Sequence, residues 1–325
     1  MYKAMISLLI CMLLVGCSAA EPTAIPTNTP APKAAPTAIP TNTPAPKIAH
    51  IVAFGDSYSD NGNFYKIATE LAKNNLMDPS WWPWAKIYYW EGPVTNQPPA
   101  VEVLADRLNV DLNDFAVGGA KSGYSNANDV VDLFKNTGLL GQVDKYKTGL
   151  AGQQVDPETL YFIQISANDF LTLGTHDAQK VSETADQAVS NIGKAVTNLA
   201  ESGARQFMVA NSVDLSILPG VFYEGYVDEA TAFQTRINST LPGEMEKLAE
   251  KLNVAITILD YSGISERIRS NADQYGLTNL TQPCVYFPKY ETCKSPDEYY
   301  FWDEYHPTRR VQQIIGEAIA DQLMK

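Results

Sequence analysis

The chain has 325 residues, 45% of them hydrophobic and 19% charged. That is enough apolar material for a large core and too little charge for an intrinsically disordered chain. Lys and Arg number 24 against 37 Asp and Glu, and the resulting net charge of −13 argues against a basic nucleic-acid footprint and against a polybasic membrane patch.

Residues 1–16 carry Lys3 and then an apolar run from Ala4 to Val15. The run is too short for the ~18 residues of a transmembrane helix and has the form of a secretory signal. Leu14-Val15-Gly16-Cys17 looks like a bacterial lipobox, which implies cleavage before Cys17 and its lipidation. The alternative is a plain signal cleaved after Ala20. The linker expected at residues 17–47 is made largely of two near-identical fourteen-residue repeats, PTAIPTNTPAPKAA (22–35) and PTAIPTNTPAPKIA (36–49). Proline fixes φ and removes donors, so this segment is expected to be an extended tether reaching on the order of 80 Å. The protein is therefore expected to be exported and held on a bacterial membrane by an N-terminal lipid anchor. Export also favours oxidation of Cys284 and Cys293, which enclose eight residues; the alternative is two free thiols.

Residues 48–325 are expected to form one domain. Short apolar runs at 48–55, 111–117, 160–165, 206–210 and 254–259 have the pattern of buried parallel strands. Between and after them, 97–108, 179–202, 233–252 and 311–324 have helical spacing of apolar residues. The alternation predicts an α/β fold with a doubly wound parallel sheet, helices on both faces and a site beyond the C-terminal strand ends.

Four segments at such ends carry chemistry. Gly55-Asp56-Ser57 puts a Ser directly after the first strand, where it is placed to be a nucleophile with its own N–H toward an oxyanion. Phe115-Ala116-Val117-Gly118-Gly119-Ala120 ends the second strand in a glycine doublet that lets backbone approach a ligand. Ser166-Ala167-Asn168-Asp169 follows the third strand, and Asn168 can donate to an oxyanion. Asp303-Glu304-Tyr305-His306-Pro307-Thr308 places a carboxylate one turn before a His, so that one ring nitrogen is oriented and the other is left as base. Of the three His, His50 and His176 are expected to be structural. Each segment alone also reads as a turn or helix cap.

Together, and in this order, the segments resemble the GDSL-type esterases and lipases of the SGNH hydrolase family. Tyr89–Asn96 and Val101–Ala105 also resemble its branch of phospholipases, haemolysins and choline-ester hydrolases. The resemblance implies a flavodoxin-like three-layer fold and a serine esterase. Its triad would be Ser57, His306 and Asp303, and its oxyanion hole Ser57, Gly118 and Asn168, with Gly119 left open by the doublet. The implied chemistry needs no metal and no cofactor, and its partner is a small-molecule or lipid ester. Two positions depart from the family pattern: Asp114 stands where many relatives have Asn, and Ser166 where Gly is usual. The α/β-hydrolase elbow Gly-x-Ser-x-Gly is absent, since Ser59 stands where its second Gly would be.

Trp81, Trp82, Trp84, Tyr88, Tyr89 and Trp90 fall within ten positions. They are consistent with an acyl-binding wall or lid, a cage for a quaternary ammonium, or core packing. The rival functions are a carbohydrate esterase removing acetyl groups from glycans and a non-catalytic surface binding protein.

Overall fold

The computed structural model describes residues 47–74, 96, 98–128, 134–153, 155–286 and 291–324. The signal peptide, Cys17, the repeats up to residue 46 and all six clustered aromatics from Trp81 to Trp90 lie outside the described residues.

Five strands form one parallel sheet. They are β1 (His50–Gly55), β2 (Asp111–Asp114), β3 (Thr159–Gln164), β4 (Gln206–Ala210) and β5 (Ala255–Leu259), in the order β2-β1-β3-β4-β5. The three inner strands β1, β3 and β4 are buried almost throughout, which is why their sequences are continuous apolar runs rather than alternating ones. The described helices are α1 (Asn63–Lys73), α2 (Ala100–Leu108), α3 (Leu139–Gly149), α4 (Ala167–Leu171), α5 (Ala178–Glu201), α6 (Pro219–Glu224), α7 (Val227–Leu252), α8 (Tyr261–Ser270) and α9 (Arg309–Leu323). The apolar stripe of α5, from Val181 through Ala185, Ala188, Ile192 and Val196 to Leu199, is buried, and α5 packs on α7 while α9 packs on α2. This is the α/β architecture expected, with strand and helix ends displaced by a few residues.

The second strand is shorter than its apolar run. The N–H groups of Phe115 and Val117 still donate to β1, at Ala53 O (2.8 Å) and Gly55 O (3.2 Å). The carbonyls of Asp114 and Ala116 instead accept the side-chain amide of Asn63, both at 2.9 Å. A side chain thus takes the place of an outer strand along this edge.

Two small elements lie outside the main sheet: β6 (Asn279–Pro283) pairs with β9 (Tyr299–Phe301), and β7 (Val285–Tyr286) pairs with β8 (Glu291–Thr292). Cys284 and Cys293 form a disulfide in this hairpin. Cys284 and Val285 donate backbone N–H groups to Phe301 O (3.0 Å) and Trp302 O (2.8 Å), so the hairpin braces the chain that enters the Asp303 turn.

The strand order puts β1 between β2 and β3. The loops leaving these three strands therefore converge at the switch point of the sheet, where such folds build their sites.

Candidate active site

The end of β1 is fixed before Ser57 begins. Gly55 donates its N–H to Gln142 Oε1 (2.9 Å), and Gln142 Nε2 returns a bond to Gly55 O (2.8 Å). A Cβ on Gly55 would lie 2.3 Å from the carbonyl oxygen of Gln164, so only glycine lets β1 approach β3 this closely here. The turn beyond is buried: Asp56 is 1% exposed and Ser57 9%. Ser59 anchors the same turn by donating Oγ–H to Gln164 Oε1 (3.0 Å).

His306 reaches this turn from across the sequence. Its Nε2 lies 2.8 Å from Ser57 Oγ, and its Nδ1 lies 2.8 Å from both Asp303 Oδ1 and Oδ2. Asp303 Oδ1 also accepts the N–H groups of Tyr305 (2.8 Å) and His306 (2.7 Å), so the loop is folded around the carboxylate. Tyr58 donates its hydroxyl to Tyr305 O (2.6 Å), tying the nucleophile turn to the His loop. The structure thus brings Ser57, His306 and Asp303 into one relay. Burial lowers the His306 pKa, but the charge and hydrogen bond of Asp303 outweigh it, and the net shift is upward from 6.5. Burial pushes the Asp56 carboxyl up to about 7, against the N–H of Tyr58, the charge of His306 and the N–H of Ala167.

Asn168 sits in the first turn of α4, beyond β3. One hydrogen of its side-chain amide goes to Ala120 O (3.1 Å), which leaves the other available to a ligand. Ser166, the residue before α4, has φ +117° and ψ −16°. Ser166, which stands where the family usually has Gly, is held in a backbone conformation that favours glycine.

The oxyanion glycine needs correction. The N–H of Gly118 donates to Asp60 Oδ2 at 2.7 Å, so this donor is already committed. Among the described residues the N–H of Gly119 donates to no group. Gly119 has φ +79°, and a Cβ there would meet Asn126 Oδ1 and Asn128 Nδ2 at 2.6 Å.

His50 lies at the opposite end of β1 from Ser57, 3.7 Å from Asp156, and His176 pairs with Glu229 at 2.7 Å; neither joins the triad. Sequence reasoning missed the buried carboxylates around it. Asp169 accepts the N–H and Oγ–H of Ser122 (2.9 and 2.8 Å), and Asp60 binds backbone on two loops. The signal was present, since each lies within three residues of a candidate group. Such residues also read as helix caps, and nothing local shows their distant partners.

The arrangement can activate a hydroxyl through an oriented imidazole and present N–H donors beside it. The family model described as GDSL-like Lipase/Acylhydrolase matches residues 51–319. Among curated proteins, a thermolabile hemolysin of Vibrio parahaemolyticus is 24% identical over 293 residues, covering 84% of this chain; the match spans 63% of the hemolysin. A GDSL esterase/lipase of Arabidopsis thaliana is 26% identical over 328 residues, covering 84% of this chain and 90% of the relative. A solved member of the lipolytic protein G-D-S-L family from Veillonella parvula aligns with a TM-score of 0.40 at 14% identity, over 85% of this chain and 99% of that one.

Proposed function

The chain belongs to the GDSL-like lipase/acylhydrolase family and is a carboxylic ester hydrolase; on that premise we propose that Ser57 is its nucleophile, His306 its general base and acid, and Asp303 the group that orients His306. The observation that carries this is the position of His306, 2.8 Å from Ser57 Oγ on one side and from both Asp303 oxygens on the other. His306 takes the proton of Ser57 as Oγ attacks the ester carbonyl. The N–H groups of Ser57 and Gly119 and the amide of Asn168 receive the oxyanion. His306 then protonates the departing alcohol. Water attacks the acyl-enzyme by the same route and releases the acid, so that ester and water give acid and alcohol.

The substrate side of the proposal is an ester with an apolar acyl chain. Two observations support it. Phe222 and Tyr223 on α6 are 68% and 59% exposed. The same helix is seated on the catalytic loop, with Gly220 N–H donating to Glu304 O (2.9 Å) and Tyr305 donating its hydroxyl to Glu224 Oε1 (2.7 Å). The likeness to a hemolysin points the same way. Lipidation of Cys17 and the Pro/Thr-rich tether would hold this domain on a bacterial membrane, as an exported lipoprotein.

The test is hydrolysis of p-nitrophenyl esters from acetyl to palmitoyl by the full chain and by Ser57→Ala. The variant is expected to lose at least about 10⁴-fold in kcat, and the wild type to prefer longer chains. Retained activity in Ser57→Ala would sink the nucleophile. Hydrolysis confined to acetyl esters would move the substrate to acetylated glycans. Membrane fractionation of Cys17→Ala tests the anchor, which predicts a shift to the soluble fraction.

A further inference from the structure

We propose that Asp60 is a positioning residue of the oxyanion hole: its carboxylate takes the N–H of Gly118 and so leaves the N–H of Gly119 as the glycine-loop donor. This deepens the assignment of Ser57 as nucleophile and rests on it. Asp60 is completely buried. Its Oδ1 accepts the N–H groups of Gly62 (2.7 Å) and Asn63 (2.6 Å), and its Oδ2 those of Phe64 (2.9 Å) and Gly118 (2.7 Å). The first three bonds cap the start of α1, as an N-terminal carboxylate commonly does. The fourth does no capping, because Gly118 lies 58 positions away on the loop after β2.

That fourth bond joins the nucleophile turn to the glycine loop. Asp60 donates its own N–H to Asp56 O (3.0 Å), so it belongs to the turn that carries Ser57. Other bonds hold the two segments in register: Asn61 donates its N–H to Asp114 Oδ2 (2.9 Å), and Asn63 binds the carbonyls of Asp114 and Ala116. With Gly118 N–H on Asp60 and Gly118 O accepting from Asn126 Nδ2 (3.0 Å), both polar groups of that residue are engaged. Gly119 O accepts from Ala127 N–H (2.8 Å), while its own N–H keeps no protein partner among the described residues. A doublet that is ambiguous in sequence thus becomes one committed and one open donor.

The experiment uses the full chain and Asp60→Asn, which keeps the side chain's size but places an amide where a carboxylate oxygen received N–H groups. Active sites are counted by fluorophosphonate labelling of Ser57. Expected is a fall in kcat per labelled site of about 10²-fold, the scale of one oxyanion donor, with KM within about threefold. The affinity of a boronic acid, which forms a tetrahedral adduct on Ser57, should fall by the same factor as kcat/KM. A purely structural role would lower the number of labelled sites and leave kcat per site and boronate affinity unchanged, and that result overturns the proposal. If Asp60→Asn does not fold, the wild type decides: in ¹H–¹⁵N spectra the boronate adduct should shift the Gly119 amide and leave the Gly118 amide in place, and the reverse overturns it. Activity surviving in Ser57→Ala would instead remove the underlying assignment, so the two failures are distinct.

Discussion

Ser166→Gly is predicted to stabilise the protein, although it deletes side-chain atoms from a buried site. Ser166 is 1% exposed and holds φ +117°, ψ −16° at the junction of β3 and α4. A non-glycine residue at positive φ there costs on the order of 1–3 kcal/mol. Glycine removes that strain but adds roughly 0.5–1 kcal/mol of chain entropy to the unfolded state. The difference is a gain of about 1 kcal/mol, or about 2 °C in Tm for a domain of this size. Differential scanning calorimetry of the two proteins reads this directly. The comparison variant is Ser166→Val, whose branched Cβ makes positive φ worse and should lower Tm. The strain sits two residues before Asn168, yet that residue's amide still reaches Ala120 O, so kcat of Ser166→Gly should stay within about twofold. An unchanged or lower Tm for Ser166→Gly would refute the argument, since it would mean that Ser166 stores no strain.

Four further outcomes follow from the geometry. Asn168→Ala should keep the fold and lose about 10²–10³ in kcat; an unchanged rate would remove Asn168 from the oxyanion hole. The acid limb of kcat/KM should have its midpoint above pH 6.5, because the base must be neutral and Asp303 raises His306 despite burial; a midpoint at or below 6.5 contradicts this. Asp56 binds a proton more tightly folded than unfolded, so its stabilising contribution is full at low pH and is lost as pH rises through about 7. Urea melts at pH 5 and pH 8 should show that loss in the wild type and a smaller one in Asp56→Asn. Replacing both Cys284 and Cys293 by Ser opens a loop of nine residues' separation, worth about 2–3 kcal/mol; an unchanged denaturation midpoint would show that the hairpin closes without the bond.

The sheet was legible because burial on both faces writes itself into sequence. Residues 206–210 were expected as a strand and are one, since Phe207, Met208 and Val209 have no polar neighbour to interrupt the run. The second run was expected to continue to Val117, and it ends early because the Gly55 N–H that faces it donates instead to Gln142 Oε1, 87 positions away. The grouping of Ser57, His306 and Asp303 was legible for a different reason. A Ser after a strand and an Asp three residues before a His are local patterns with few chemical uses. The choice between Gly118 and Gly119 was not legible, because it is made by Asp60 from 58 positions upstream. The upward shift of the His306 pKa was not legible either, because a sequence shows the Asp303 charge but not its distance.

The buried carboxylates beside the triad are costly as stabilising groups, since each is withdrawn from water. Their placement makes sense as geometry. Of the proposed oxyanion donors, Ser57 and Gly119 sit on loops and Asn168 in the first turn of α4, and loops are ordinarily the least rigid part of a fold. Asp56 accepts N–H groups from Tyr58 and Ala167 and so joins the β1 loop to α4. Asp60 joins the β1 loop to the β2 loop through Gly118. Asp169 joins α4 to the chain beyond the glycine doublet through Ser122. Each pair of segments is therefore closed by a hydrogen bond from a backbone N–H to a carboxyl oxygen. An oxyanion hole works only if its donors are held within about 0.5 Å. An apolar core beneath these loops would fill space without fixing direction. Three aspartates around a site that develops negative charge would be a liability if their lone pairs faced it. Facing backbone N–H groups instead, they hold those groups in place and leave the remaining donors pointing at the substrate.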